Sequence, residues 1–211
     1  MKNVKITAVL TALLLLAGGC SRAPEFVIPE DPDVRNALWN MTMDEVIFCE
    51  SKEPDERLDN ALIYKNVRLE KIPPADITYN FYNIDLVNTD GSERLLSSVT
   101  YSFNGMRRLN QRQLHNTYIE ILDEYSKKYG TPISDARVTE LSDNGTVERT
   151  VLYEPVEKIY DTTFTFGGTA LYTADWTNEF ETTNIRLRFV YDERGPVMEV
   201  LYEYFEHNND I

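Results

Sequence analysis

The most regular hydrophobic pattern in the chain lies just past its middle. Apolar and tyrosine side chains recur there at steps of three and four residues, at Leu114, Tyr118, Ile121, Leu122, Tyr125 and Tyr129. This spacing places them on one face of an α-helix. Gly130 and Pro132 follow, and both residue types favour the end of a helix. The pattern therefore predicts a long helix whose tyrosine-rich face lies in the core.

A second, shorter helix is predicted over residues 43–51. Thr42 and Glu45 have the spacing of a capping box, in which each side chain bonds the other residue's backbone amide. Pro54 and the acidic run 53–59 end the helix, and we interpret this run as a solvated loop rather than a cation site. Cys49 lies among apolar residues and is predicted to be a small buried side chain.

Strands are predicted wherever apolar and polar residues alternate. The candidates are 61–67, 76–82, 96–103, 148–153, 162–166, 170–176, 185–191 and 198–204. Residues 88–91 and 144–145 have the composition of turns. In the last hairpin, Arg186 and Arg188 point to the same face as Glu199 and Glu203, which predicts cross-strand ion pairs on the surface.

These elements predict an α+β fold, with an antiparallel sheet or sheets and two main helices packed on one face. The domain is predicted to span residues 39–206, before a polar tail at 207–211. Each half of the domain begins with a helix and continues with strands. Two tandem helix-plus-strands units, 39–108 and 109–206, are therefore a candidate organisation.

The amino terminus has the three parts of an export signal. Lys2 and Lys5 precede an apolar run too short for a relaxed bilayer span, and Gly18-Gly19-Cys20 ends it. Residues 16–20 resemble the lipobox of bacterial lipoproteins, although Ala17 stands where an aliphatic residue is usual. The resemblance implies removal of residues 1–19 and a diacylglyceryl group on the Cys20 thiol. Ordinary secretion with a chance cysteine and an uncleaved anchor are the alternatives.

Residues 20–38 are predicted to be a lipidated cysteine followed by a proline-rich tether. Pro24, Pro29 and Pro32 interrupt any helical or strand period and stiffen such a segment toward an extended form. The packed domain is then predicted to begin at Trp39. An alternative is that residues 26–28 dock on the domain as an edge strand.

The charge of the chain excludes some partners. The formal net charge is −14, from 21 basic and 35 acidic residues. Nucleic-acid backbones and anionic headgroups both require basic patches, so neither is an expected partner. Membrane contact is expected through the lipid on Cys20, which predicts an extracytoplasmic protein anchored to a bacterial cell membrane or outer membrane.

The sequence has no recognisable catalytic or metal-binding motif. It lacks a Gly-x-Ser-x-Gly elbow, a phosphate-binding glycine loop and a His-Glu-x-x-His helix. Of the two histidines, His115 is predicted to be exposed near the start of the second helix, and His207 lies in the polar tail. We therefore expect no cofactor, no metal and no enzymatic activity.

One stretch of the chain resembles a known envelope module. Residues 39–46 (Trp-Asn-Met-Thr-Met-Asp-Glu-Val), then Pro54 and the strands around Tyr64 and 77–81, resemble lipoproteins of the SmpA/OmlA type. That group is similar in shape to the repeated units of β-lactamase inhibitory protein. Asn40 and Lys52-Glu53-Pro54 depart from the family's glycine positions. The resemblance, over residues 39–103, implies a non-enzymatic protein that binds other proteins or assists envelope assembly.

The first functional hypothesis is therefore a membrane-anchored, non-catalytic lipoprotein that binds a protein or peptide partner in the envelope. Strand edges and exposed aromatic residues would form its contact surface, with Trp39, Tyr172 and Trp176 as candidates. A solute- or glycan-binding lipoprotein is the alternative, and a concave aromatic patch around the same residues would favour it. A hydrolase is the third possibility.

Overall fold

A computed structural model describes residues 28–83, 94–143, 146–152, 156–178 and 182–205. In this part of the chain, two α-helices, one 3-10 helix (Met106–Arg108) and nine strands are present. The α-helices are α1 (Met43–Glu50) and α2 (Gln111–Tyr129). The strands are β1 (Glu56–Arg57), β2 (Ala61–Val67), β3 (Ala75–Asn83), β4 (Arg94–Phe103), β5 (Ser134–Asp143), β6 (Thr146–Leu152), β7 (Thr169–Thr177), β8 (Thr183–Tyr191) and β9 (Val197–Tyr204).

All nine strands belong to one antiparallel sheet. Their order is β1-β2-β3-β4-β9-β8-β7-β5-β6, so the pairing of β4 with β9 joins the first four strands to the last five. The predicted α+β class with an antiparallel sheet and two main helices is confirmed. The sheet is much the larger part of the structure, because both helices together span fewer residues than the strands do.

A continuous row of buried side chains crosses the sheet. Its members are cross-strand partners in turn: Tyr79, Val99, Tyr202, Ile185 and Trp176. Directly opposed residues of neighbouring strands point to the same face. Glu50 of α1 accepts a hydrogen bond from the Tyr79 hydroxyl at 2.5 Å. On α2, the Tyr125 hydroxyl lies 3.0 Å from that of Tyr202. We call this face the core face and the opposite one the open face.

The predicted cap of α1 is confirmed. The Thr42 hydroxyl accepts from the Glu45 amide at 3.4 Å, and the Thr42 amide donates to the Glu45 carboxylate at 2.7 Å. Cys49 is buried, as predicted. Burial, with the nearby carboxylates of Glu45 and Glu50, raises the pKa of its thiol. The run after the helix is largely exposed, also as predicted.

The tyrosine-rich helix is confirmed, but it begins earlier than the stripe indicates. Asn110 caps α2 through the Gln113 amide at 2.9 Å, and the Gln113 side chain completes the box. The predicted stripe is buried at Leu114, Tyr118, Ile121, Leu122 and Tyr125. Gly130 follows with a φ of 84°, a left-handed backbone angle that glycine tolerates.

The prediction that His115 is exposed is wrong. The side chain lies in the second turn of α2 and is 1% exposed. Its Nε2 is 2.8 Å from the Glu157 carbonyl oxygen, and its Nδ1 is 3.2 Å from the Tyr172 hydroxyl. Because a carbonyl oxygen only accepts, Nε2 carries the proton and Nδ1 accepts from Tyr172. Burial lowers the pKa of His115 and raises that of Tyr172 to about 12.

The packed domain begins before the predicted boundary at Trp39. Val34 and Ala37 are 2% and 0% exposed, and their backbones bond each other in a tight turn. The Asp33 carboxylate accepts from the Trp39 amide at 2.9 Å. Arg35 donates to the Glu50 carboxylate at 2.8 Å. Residues 33–38 were assigned to the tether because a single turn has no hydrophobic period.

Three strand assignments differ from the predictions, and one of them is β1 (Glu56–Arg57), which lies in the run predicted to be a loop. Residues 162–166 form no strand; Phe166 instead packs into the core from an irregular segment, with its amide bonded to the Gln111 side chain at 2.6 Å. The sequence also missed β5, in which polar residues alternate with few apolar ones. The turns predicted at 88–91 and 144–145 lie outside the described residues.

The last hairpin, β8 with β9, is confirmed, and one of its ion pairs differs from the prediction. Arg188 pairs with Glu199 across the strands at 3.0 Å, as predicted. Arg186 instead pairs with Asp175 on β7 at 2.6 Å. Since β8 lies between β7 and β9, its outward side chains have partners on both sides.

Candidate binding surfaces

The three aromatic residues predicted to form a partner surface are buried. Trp39, Tyr172 and Trp176 are 8%, 3% and 2% exposed. The indole of Trp39 donates to the Thr183 hydroxyl at 2.8 Å, and that of Trp176 donates to the Gly130 carbonyl at 3.0 Å. The prediction is wrong because strand alternation fixes which residues share a face but not which face is covered. Cys20, the predicted lipidation site, lies outside the described residues.

The open face carries a row of aliphatic side chains that the sequence analysis missed. Cross-strand partners place five of them in one line over β9, β8, β7, β5 and β6: Val197, Val190, Leu171, Val138 and Val151. Leu171 alternates with the buried Ala170 and Tyr172, so the line is on the open face. Its ends, Val197 and Val151, are 46% and 39% exposed. We call this line the aliphatic row.

Polar pairs border the aliphatic row on both sides. On one side Thr169 donates to the Glu140 carboxylate at 3.4 Å, and Arg149 lies 3.9 Å from that same side chain. On the other side is the pair of Arg188 with Glu199. An apolar strip with a polar border has the composition of a protein-contact surface.

The aliphatic row ends at an open edge of the sheet. β6 is the last strand in the order, and among the described strands it pairs with β5 alone. Its outer backbone amides and carbonyls therefore have no partner strand in the described chain, which makes the edge a template for another strand. Val151 and Leu152 expose apolar surface there, on the open and core faces respectively.

A cleft of about 560 Å³ lies on the core face, between the carboxyl-terminal half of α2 and the loop after β2. Its lining includes three tyrosines from three different elements: Tyr101, Tyr125 and Tyr202. Leu69 and Ile72 add apolar surface. The charged lining residues are Arg35, Lys71, Lys127, Lys128, Glu70 and Glu124. We call this site the tyrosine–lysine cleft.

The phenols of the cleft are hydrogen-bond donors. Burial raises the pKa of Tyr101, Tyr125 and Tyr202 above the ordinary value of 10, so all three hydroxyls stay protonated. The Tyr202 hydroxyl donates to that of Tyr125 at 3.0 Å. Within the described residues, Tyr125 donates no hydrogen bond in turn, and the Tyr101 hydroxyl makes none.

The rim of the cleft is locally cationic although the chain is acidic. Four of its side chains are basic and two are acidic, against a net charge of −14 for the whole chain. Lys127 and Lys71 both reach Glu124, at 2.6 Å and 3.7 Å. Lys127 contributes most to lowering the pKa of the Glu124 carboxyl, first by its hydrogen bond.

No metal centre is formed by the described residues, since they contain no group of three or more His, Cys, Asp or Glu side chains placed to hold an ion. No described helix is long and apolar enough to cross a membrane.

Comparison with protein-family models, with curated proteins and with solved structures found no match to this chain.

Proposed function

We propose that this chain is a non-catalytic binding protein of a bacterial envelope, anchored by a lipid on Cys20, whose domain binds a partner protein through the edge strand β6. The observation that supports the partner site most directly is that the aliphatic row ends at a strand edge with no partner strand among the described residues. The export signal and the cysteine at its end support the anchor.

Strand addition uses both features of this edge. The outer backbone of β6 supplies main-chain hydrogen bonds to an extended segment of the partner. Every second side chain of that segment then points to the open face, and the one opposite Val151 lengthens the aliphatic row by one strand. We expect the segment to alternate apolar with polar residues, and to be basic overall because the chain has a net charge of −14.

The strand order supports a two-unit organisation. The first unit is α1 with β1 to β4, within residues 39–108, and the second is α2 with β5 to β9, within 109–206. The two units meet at the pairing of β4 with β9. Such a layout agrees with the SmpA/OmlA-type resemblance, whose members bind other proteins.

Photo-crosslinking in intact cells tests the partner site. A photoreactive phenylalanine analogue at Val151 is expected to give a protein adduct, which a Leu152→Lys change in the same chain reduces severalfold. The matched control is the same analogue at Val197, which has similar exposure but lies at the far end of the row. Equal adducts from both positions, or none from Val151, would contradict docking at the edge.

The anchor is tested in the same cells. Cys20→Ser is expected to move the chain out of the membrane fraction and to abolish its labelling by a fatty-acid probe. Retention of this variant in the membrane would contradict lipid anchoring. It would not affect the crosslinking result, which tests the partner site independently.

A second candidate function is solute binding. The tyrosine–lysine cleft favours it, because its volume of about 560 Å³ is within the range of small-molecule sites.

A further inference from the structure

We propose that the tyrosine–lysine cleft binds an organic carboxylate with an apolar body. This site lies on the core face and uses none of the residues of β6, so it does not depend on the proposed partner site. The carboxylate would accept hydrogen bonds from the phenols of the floor and lie among the cations of the rim, with its apolar part against Leu69 and Ile72.

The phenols provide donors that have no other use in the described structure. The bond from Tyr202 occupies the Tyr125 oxygen as an acceptor, which leaves the Tyr125 proton to be donated elsewhere. Tyr101 packs against Tyr202, with ring centroids 5.3 Å apart, and its hydroxyl bonds no described residue. An anionic oxygen suits two such donors better than a neutral one, because charge-assisted hydrogen bonds are the stronger kind.

The cations of the rim add charge complementarity. Lys71 and Lys127 share the single carboxylate of Glu124, so that this group of three has a net positive charge. Arg35 stands at another part of the lining, although Glu50 already pairs with it. A second carboxylate among these groups would balance the excess charge.

The backbone at the rim supports a functional role. Arg35 and Lys71 have φ angles of 56° and 62°, a left-handed conformation that is unfavourable for side-chain-bearing residues. Non-glycine residues held in this region cluster at ligand sites. Of the five described non-glycine residues with positive φ, these two are cations of the same cleft.

Calorimetric titration of the full chain carrying Cys20→Ser tests the proposal without a competing acyl chain. The probes are octanoate, its neutral analogue octanamide, N-acetyl-leucyl-leucine, the amide of that dipeptide, and inorganic phosphate. Each carboxylate is expected to bind at least about tenfold more tightly than its amide, since a hydrogen bond to a charged group contributes enough binding free energy to account for this ratio. Tighter binding of octanoate would assign the cleft to a fatty acid, and tighter binding of the dipeptide would assign it to a peptide carboxyl terminus.

Three variants locate the site. Tyr125→Phe keeps the ring and removes the donor, so we expect about tenfold weaker binding. Lys127→Gln is expected to weaken binding about two- to fivefold, because its ammonium is largely exposed. Lys158→Gln is the matched control: Lys158 also pairs with an α2 glutamate, Glu120 at 3.0 Å, but lies outside the cleft, and we expect no change.

The proposal is overturned if neither carboxylate binds. It is equally overturned if the amides or inorganic phosphate bind as tightly as the carboxylates. It is also overturned if Tyr125→Phe has the same melting temperature as the parent protein and binds the carboxylates with the same affinity.

Discussion

At the scale of single residues, several buried polar groups of this protein are satisfied by one another. Glu50 is the clearest case: its side chain is 2% exposed and accepts from both Arg35 and the Tyr79 hydroxyl. Removing one member of such a pair costs more free energy of unfolding than the intact pair contributes, since the remaining charge is left buried without a partner. The same reasoning applies to His115, whose two ring nitrogens both have partners.

His115 predicts a pH dependence of stability. Burial, the largest cause, lowers its folded-state pKa below the ordinary value of 6.5. Between the two pKa values the unfolded chain binds more protons, so stability rises with pH. The neutral imidazole makes its full contribution to stability above the pKa that His115 has in the unfolded chain. This contribution is lost as the pH falls through the pKa that His115 has in the folded chain. One proton gives a slope of at most about 1.4 kcal/mol per pH unit.

Urea denaturation of the protein and of His115→Gln, from pH 8 to pH 5, measures this effect. The substitution is expected to lower the free energy of unfolding at every pH and to flatten its fall below pH 7. Carboxylates titrate equally in both chains, so the difference between the two curves isolates the histidine. Parallel curves would show that His115 has the same pKa in the folded and unfolded chains.

At the scale of elements, the sequence predicted what periodicity and caps can encode. Helix α1 follows from its capping box, α2 follows from its apolar stripe and the Gly130 and Pro132 that end it, and the hairpin of β8 with β9 follows from strict alternation. β5 was missed because few of its residues are apolar, and residues 162–166 were assigned wrongly because phenylalanines at alternate positions mimic a strand. For these segments tertiary packing decides the structure, and local sequence does not record it.

The candidate sites were predicted less well than the fold, for a physical reason. The aliphatic row joins residues of five strands, and it exists only once the strand order and register are known. The tyrosine–lysine cleft likewise unites α2, β4, β9 and two loops. From the sequence, Trp39, Tyr172 and Trp176 are predicted to form a partner surface because they are aromatic, but in the structure they are core residues.

One buried hydrogen bond is expected to fix how the amino-terminal segment docks on β8. The Trp39 indole donates to the Thr183 hydroxyl, 2.8 Å away, with both side chains buried. Thr183→Val keeps the shape and removes the acceptor, so we expect it to cost about 1–3 kcal/mol of unfolding free energy. Thr183→Ser keeps the acceptor and is expected to lose clearly less. Chemical denaturation compares the two, and a Thr183→Val variant as stable as Thr183→Ser would contradict the larger contribution expected of the hydrogen bond.

At the scale of the whole molecule, the sheet divides the protein into two unlike surfaces. The core face carries the hydrophobic core, contacts α1 through Glu50 and α2 through Tyr125, and includes the tyrosine–lysine cleft as one of its openings. The open face carries polar ladders and the aliphatic row, which ends at β6. With the proposed anchor and binding sites, one face would contact the partner while the other holds the carboxylate.

The amino-terminal segment sets the last prediction, which concerns where the tether ends and the domain begins. Ile28 is exposed, whereas Val34 and Ala37 are buried in the core and Arg35 pairs with Glu50. A chain that starts at residue 33 is therefore expected to have a free energy of unfolding within about 0.5 kcal/mol of that of a longer chain that starts at residue 28, because residues 28–32 are exposed or half-buried. A chain that starts at residue 39 loses apolar burial and leaves Glu50 without its cation, at a cost of about 3 kcal/mol or more.

Denaturation midpoints of the two shortened chains, together with Arg35→Ala in the longer one, separate these contributions. If the pair of Arg35 with Glu50 dominates, Arg35→Ala reproduces most of the stability lost by the chain that starts at residue 39. If burial of Val34 and Ala37 dominates, Arg35→Ala reproduces little of that loss. Equal stability of the two shortened chains would mean that residues 33–38 belong to the tether after all. A loss already present in the chain that starts at residue 33 would move the domain boundary still further toward Cys20, and would shorten the proposed tether.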